Sequence, residues 1–133
     1  MMDTVCICGG GSLGHVIAGY LSAKKGMKVN ILTRRPERWN RTIEVVTPEG
    51  EVLNGSLHTV SGNPEEALHG ASMVLLCLPG YAIREELIRI RSYVNVQTYV
   101  GSVFSSTGFF FEAMEVLPED VPLWGFQRVP FIA

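Results

Sequence analysis

The sequence predicts an α/β domain with a doubly wound, mostly parallel sheet and an inserted β-hairpin. Three observations carry this expectation. Strand-like and helix-like segments alternate along nearly the whole chain. Residues 73–78 read Met-Val-Leu-Leu-Cys-Leu, a continuous apolar run of the kind a parallel strand covered on both faces requires. A glycine cluster, Gly9-Gly10-Gly11-Ser12-Leu13-Gly14, stands between a short apolar strand and an amphipathic helix.

The composition sets bounds on function. A chain of 133 residues is one domain with room for a single sizeable core. Hydrophobic residues make up 47% and charged ones 18%, a globular balance, and no apolar run reaches the length of a membrane span. A net charge of -2 gives no electrostatic reason to expect nucleic acid or an anionic membrane surface as partner. The N-terminus lacks the pattern of a secretory leader, so a cytoplasmic location is expected. Cys6, Cys8 and Cys77 sit inside strand-like runs, where free cysteines act as small buried hydrophobes. Cys6 and Cys8 should face the same side of one strand, and no histidine or further cysteine lies at zinc-ligand spacing, so no metal site is expected.

The first strand ends in the glycine cluster and the first helix follows, with Leu13, Val16, Ile17, Tyr20 and Leu21 on one apolar stripe. Ser12 is the expected N-cap, and Lys24, Lys25 and Gly26 supply the cations and stop of a helix end. This Rossmann-type unit suits a pyrophosphate. Gly9 makes the tight turn, Gly11 lets the backbone approach the phosphates, and Gly14 brings helix and strand together. Ser12 and Leu13 add amides at the helix N-terminus, where the positive dipole end faces an anion.

Residues 28–33 form the expected second strand. In an NAD-binding unit an Asp or Glu about twenty residues past the glycines holds the adenosine ribose. Here Thr33-Arg34-Arg35 stands in that place. With no carboxylate to repel a 2′-phosphate and guanidinium forks to receive one, the expected cofactor is NADP, with NAD as the alternative. Arg34 is the first contact and Arg35 the second; the competing reading is a solvated arginine pair in a turn before Pro36.

Residues 36–42 read as a loop or a short helical turn anchored by Trp39, and Pro48-Glu49-Gly50 as the turn of a hairpin between 43–47 and 51–53. Asn54-Gly55 reads as a further turn and 57–60 as the third strand of the main sheet. Asn63-Pro64-Glu65-Glu66 caps a short helix that stops near Gly70. The apolar strand at 73–78 ends at Pro79-Gly80, so Leu78, Pro79 and Tyr81 are expected to line a ligand crevice at the strand's carboxyl end. Ile83, Leu87, Ile90 and Val94 step at helical spacing through 82–93, with Arg84, Glu85, Arg89 and Arg91 as a solvated face. A fifth strand is expected at 97–104, then Ser105, Ser106 and Thr107 as cap candidates. A helix over 108–117 should bury Phe110, Ala113, Met114 and Leu117, and a sixth strand should follow at 123–126.

With these segments placed, the chain resembles the N-terminal cofactor domain of the opine dehydrogenases, the octopine and nopaline group. The resemblance rests on Cys6-Ile7-Cys8-Gly9-Gly10-Gly11 with His15 behind it, Glu37-Arg38-Trp39, and the hairpin around Pro48-Glu49-Gly50. Leu78-Pro79, the run 101–109 and the closing Gln127-Arg128-Val129-Pro130 extend it over essentially the whole chain. It implies an oxidoreductase acting on the CH–NH bond formed from an amino acid and a 2-oxo acid, with hydride supplied by the nicotinamide. It also implies a helical second domain carrying the catalytic histidine and the substrate contacts. That substrate domain is absent from residues 1–133, so no catalytic residue is assigned, a small-molecule substrate is expected only with the second domain, and the chain alone is expected to be inactive.

Two other readings compete. A regulatory nucleotide-binding module has similar size and glycine loops, although such modules usually keep the acid that Thr33-Arg34-Arg35 lacks. A ketopantoate reductase-like enzyme also uses NADP and shares the glycine motif. The apolar segment at 129–133 further predicts self-association as a homodimer.

Overall fold

The computed structural model describes residues 3–9, 11–24, 26–103 and 107–125, with 107 and 125 described by backbone alone. Gly10, Lys25, the cap candidates Ser105 and Ser106, and the 126–133 segment, including the Gln127-Arg128-Val129-Pro130 ending, lie outside the described residues.

The strands are β1 (Asp3–Cys8), β2 (Met27–Leu32), β3 (Thr42–Val46), β4 (Val52–Ser56), β5 (Thr59–Ser61), β6 (Met73–Leu76), β7 (Tyr99–Ser102) and β8 (Leu123–Gly125). The helices are α1 (Ser12–Ser22), α2 (Pro64–Ala67), α3 (Gly80–Ile90) and α4 (Thr107–Val116). Six strands form one sheet in the order β5-β2-β1-β6-β7-β8, and every pairing in it is parallel. Setting the hairpin aside, this is the Rossmann order 3-2-1-4-5-6, whose direction reverses between β1 and β6. No helix among the described residues is long and apolar enough to cross a membrane.

The sheet is buried on both faces, which explains why β6 and the later half of β1 run apolar instead of alternating. Cys6, Cys8, Leu32, Val74 and Leu76 point to one face, packed under Ile83, Leu87 and Ile90 of α3 and Phe109 of α4. Val5, Ile7, Val29, Ile31 and Leu75 point to the other, under Leu13 and Ile17 of α1. Inside the sheet, Asn30 is buried but satisfied: its Nδ2 donates to the Ala67 carbonyl at 2.9 Å, and His58 Nδ1 lies 3.2 Å from its Oδ1. His58 is thereby tied to structure. Asn63 caps α2 as expected, its Oδ1 accepting from the Glu65 amide at 3.0 Å.

β3 and β4 pair antiparallel as a separate two-stranded ribbon closed at Pro48-Glu49-Gly50, with Gly50 at φ +86°. The ribbon lies against α1. A Cβ on Gly19 would come within 2.2 Å of Val45 Cγ2, and one on Gly55 within 2.8 Å of the Ser22 backbone carbon. Asn54-Gly55 is therefore not a turn: both residues pair within β4, opposite Glu44 and Ile43, because bare backbone at Gly55 is what lets the ribbon reach the helix. The strand expected at 57–60 begins later, at Thr59, since Leu57 is spent on the core and the parallel register with β2 starts at Asn30 and Thr59.

Two further corrections concern α3 and α4. α3 begins at Gly80 rather than Ala82, capped by extended Pro79, and gives way after Ile90 to a 3-10 turn over Arg91–Tyr93. α4 is rotated from the expected phase: Phe109, Ala113 and Leu117 are buried, whereas Phe110 is 37% and Met114 73% exposed. Phe109, Ala113 and Leu117 pack in one cluster with Ile83, Leu87 and Ile90 of α3, and the opposite face leaves Arg84 in exposed ion pairs with Glu112 at 2.5 Å and Glu115 at 2.8 Å.

Candidate functional site

The glycine turn joins β1 to α1 at the carboxyl end of the sheet. Gly9 holds φ at +127°, and a Cβ there would lie 2.6 Å from the Cys77 carbonyl oxygen, so only glycine fits. Its amide donates to the Leu32 carbonyl at 3.1 Å, tying the turn to β2. Gly11, extended at φ -80° and ψ 176°, is the N-cap of α1. Ser12 is the first helical residue and not the cap expected, because Gly11 already occupies the extended position. Gly11 has no side chain with which to cap the helix, which leaves first-turn amides at the positive end of the dipole without a cap from it. Among the described residues nothing lies within 4 Å of a Cβ placed on Gly11, so the backbone is open there to an approaching anion. Gly14 stands in ordinary contact with Gly9, 3.5 Å from its carbonyl oxygen to a Cβ, a looser fit than the motif led us to expect. Leu13 turns its side chain into the core and can offer a ligand only its backbone.

Beside this turn a cleft of 480 Å³ opens at the carboxyl ends of β1, β2 and β6, lined by Gly9, Thr33, Arg34, Arg35 and Leu78 among others. An adjoining cleft of 340 Å³ shares Arg34 and Leu78 with it and adds Pro79 and Tyr81. Seven expected contacts thus converge on one region, the place where open α/β sheets bind ligands. Gly11, Ser12, Leu13 and Gly14 belong to the helix start next to it rather than to its walls.

The residues after β2 are held in place by local bonds. Thr33 is buried; its amide donates to the Ser61 carbonyl at 3.0 Å, and its hydroxyl accepts from the Arg35 amide at 3.2 Å. Trp39 is buried and stacks on His15, ring centroids 3.7 Å apart and planes 8° from parallel. His15 Nδ1 in turn donates to the Gly11 carbonyl at 3.0 Å, so the stack pins the loop following β2 to the first turn of α1. Arg34 is exposed and forms an ion pair with Glu85 of α3.

Sequence reasoning missed Glu86. It is 7% exposed, lines both clefts, and accepts from Arg89 Nη1 at 2.8 Å through Oε1. Arg89 also donates to the Gly62 carbonyl at 2.9 Å, bridging α3 to the segment after β5. Burial pushes the Glu86 carboxyl above the ordinary carboxylate range, against the opposing pull of Arg89 and Arg34. A signal was available: Glu86 falls at i+3 from Ile83, on the apolar stripe itself. Arg38, His15 and Trp39 also line the larger cleft and were not among the expected contacts.

The cysteines do not join the site. All three are free and buried, and burial pushes the Cys77 thiol up to about 12. The Cys8 thiol is raised well above its usual value, first by its hydrogen bond with Cys6 and then by burial.

Comparison with known proteins adds the following. The family model described as ketopantoate reductase PanE/ApbA matches residues 5–105. The opine dehydrogenase of Haliotis discus hannai is 25% identical over 146 residues, covering 96% of this chain and 36% of the relative. The tauropine dehydrogenase of Arabella iricolor is 31% identical over 145 residues, covering 98% and 36%. The structure of octopine dehydrogenase in complex with NADH and agmatine superposes with a TM-score of 0.89 at 25% identity, covering 98% of this chain and 36% of that one. The chain therefore spans little more than a third of the length of these relatives.

Proposed function

The chain belongs to the ketopantoate reductase PanE/ApbA family and corresponds to the N-terminal NAD(P)-binding region of opine dehydrogenases, and on that premise we propose that it seats the nicotinamide cofactor of an opine dehydrogenase-like oxidoreductase. One observation carries the reading: the start of α1, uncapped by any side chain of Gly11, stands beside a cleft that Arg34 and Arg35 line. The amides at the start of α1 would hold the diphosphate, and the cleft would take the adenosine end. The arginines receive a 2′-phosphate, so NADPH is the favoured cofactor and NADH the weaker one. When bound, the nicotinamide supplies hydride to the imine of an amino acid and a 2-oxo acid; this chain binds and orients it. Substrate contacts and proton transfer belong to a second domain beyond these residues.

Calorimetric titration with NADPH and NADH tests the assignment. Arg34→Gln is expected to weaken NADPH by about tenfold, the scale of one charged hydrogen bond, and to leave NADH unchanged. Binding of neither dinucleotide to the unaltered chain would end the reading. A ketopantoate reductase-like enzyme is the second reading, favoured by the family match over residues 5–105. Against it, the similarity to opine dehydrogenases continues through nearly the whole chain.

A further inference from the structure

The arginine expected to receive a 2′-phosphate already holds a carboxylate. Arg34 Nη2 pairs with Glu85 Oε1, which joins the second turn of α3 to the residue two positions past β2; both line the 340 Å³ cleft that shares Arg34 and Glu86 with the adenosine cleft. Both side chains are well exposed, 64% and 67%, so the pair is solvated and can be opened without unpacking anything. Directly behind it Glu86 adds a second, buried carboxylate to the cleft wall, anchored by Arg89. A carboxylate and a phosphate compete for the same guanidinium fork.

We propose that Glu85 is the specificity-determining residue for the cofactor, an internal stand-in for the 2′-phosphate that neutralises Arg34 when the ribose carries only hydroxyls and must be displaced when it is phosphorylated. The inference rests on the cofactor reading above. The acid that this site lacks after β2 comes from α3, and it acts on Arg34 instead of on the ligand. The selectivity then depends on a competition within the protein.

The test is titration of the full chain and its Glu85→Gln variant with NADPH and NADH. Glu85 is exposed, so the variant keeps the fold. Removal of one solvated partner is expected to tighten NADPH by about fivefold and to leave NADH within twofold of its original affinity. In an Arg34→Gln background the same change at Glu85 should have no effect on NADPH, because the guanidinium it masks is gone. Equal changes for both dinucleotides, no change for either, or a full effect without Arg34 would each overturn the role of Glu85 while leaving the cofactor reading intact. An unaltered chain that binds neither dinucleotide defeats the cofactor reading and this inference with it.

Discussion

Replacing Gly9 with alanine is expected to cost about 3 kcal/mol of stability and to remove measurable dinucleotide binding. Two effects add. The residue holds φ at +127°, where side-chain-bearing residues are strained, and the new methyl would press to 2.6 Å from the Cys77 carbonyl oxygen, part of the backbone that continues β6. Neither can relax alone, because the Gly9 amide is tied to Leu32 and the Cys77 amide donates to the Cys8 carbonyl at 2.9 Å. Urea denaturation measures the first loss and titration with NADPH the second. Gly11→Ala is the instructive contrast. Its φ of -80° and open surroundings tolerate the methyl, so stability should hold, while affinity falls because the methyl occupies the approach to the helix start. Equal stability of Gly9→Ala and the original chain would show the turn to be more pliant than its geometry implies.

The second large effect concerns the ribbon of β3 and β4. Gly55→Val is expected to prevent the ribbon from seating on α1, since its Cβ would meet the Ser22 backbone at 2.8 Å, and to cost about 1 to 3 kcal/mol, the scale of overpacking. The six-stranded sheet does not depend on the ribbon and should survive. What should change is the loop that connects β2 to β3, which carries Arg34 and Arg35 and is held by the Trp39–His15 stack. Limited proteolysis should then cut within 42–56 faster than in the original chain, and NADPH affinity should drop several-fold. Unchanged protection of that segment would separate the ribbon from the site.

Much of this was legible in the residues. β6 announced itself because burial on both faces leaves no room there for polar alternation, and α3 was readable from Ile83, Leu87, Ile90 and Val94 because its opposite face is charged. α4 was not, because Phe109, Phe110 and Phe111 in succession blur the apolar phase. The choice among them is made by the core, which takes Phe109, Ala113 and Leu117 against α3. In the site, Arg34 and Thr33 could be placed from the strand end alone. Their partners could not: Glu85 and Glu86 lie some fifty positions away in sequence, and only the crossover from β2 through β6 to α3 brings them to the same wall. The turn misread at Asn54-Gly55 has the same origin, a glycine kept for close approach and not for conformational freedom.

The position of Cys77 has a practical consequence. Its thiol is 6% exposed and pushed up to about 12, so near pH 8 only on the order of one molecule in ten thousand carries the reactive thiolate. Yet the same residue forms the floor on which Gly9 rests. Alkylation by iodoacetamide therefore waits for that floor to lift, which makes the rate of modification a clock for local opening beneath the glycine turn. A bound dinucleotide should slow the clock, and mapping the modified cysteine by mass spectrometry would read the opening directly, with no engineered probe.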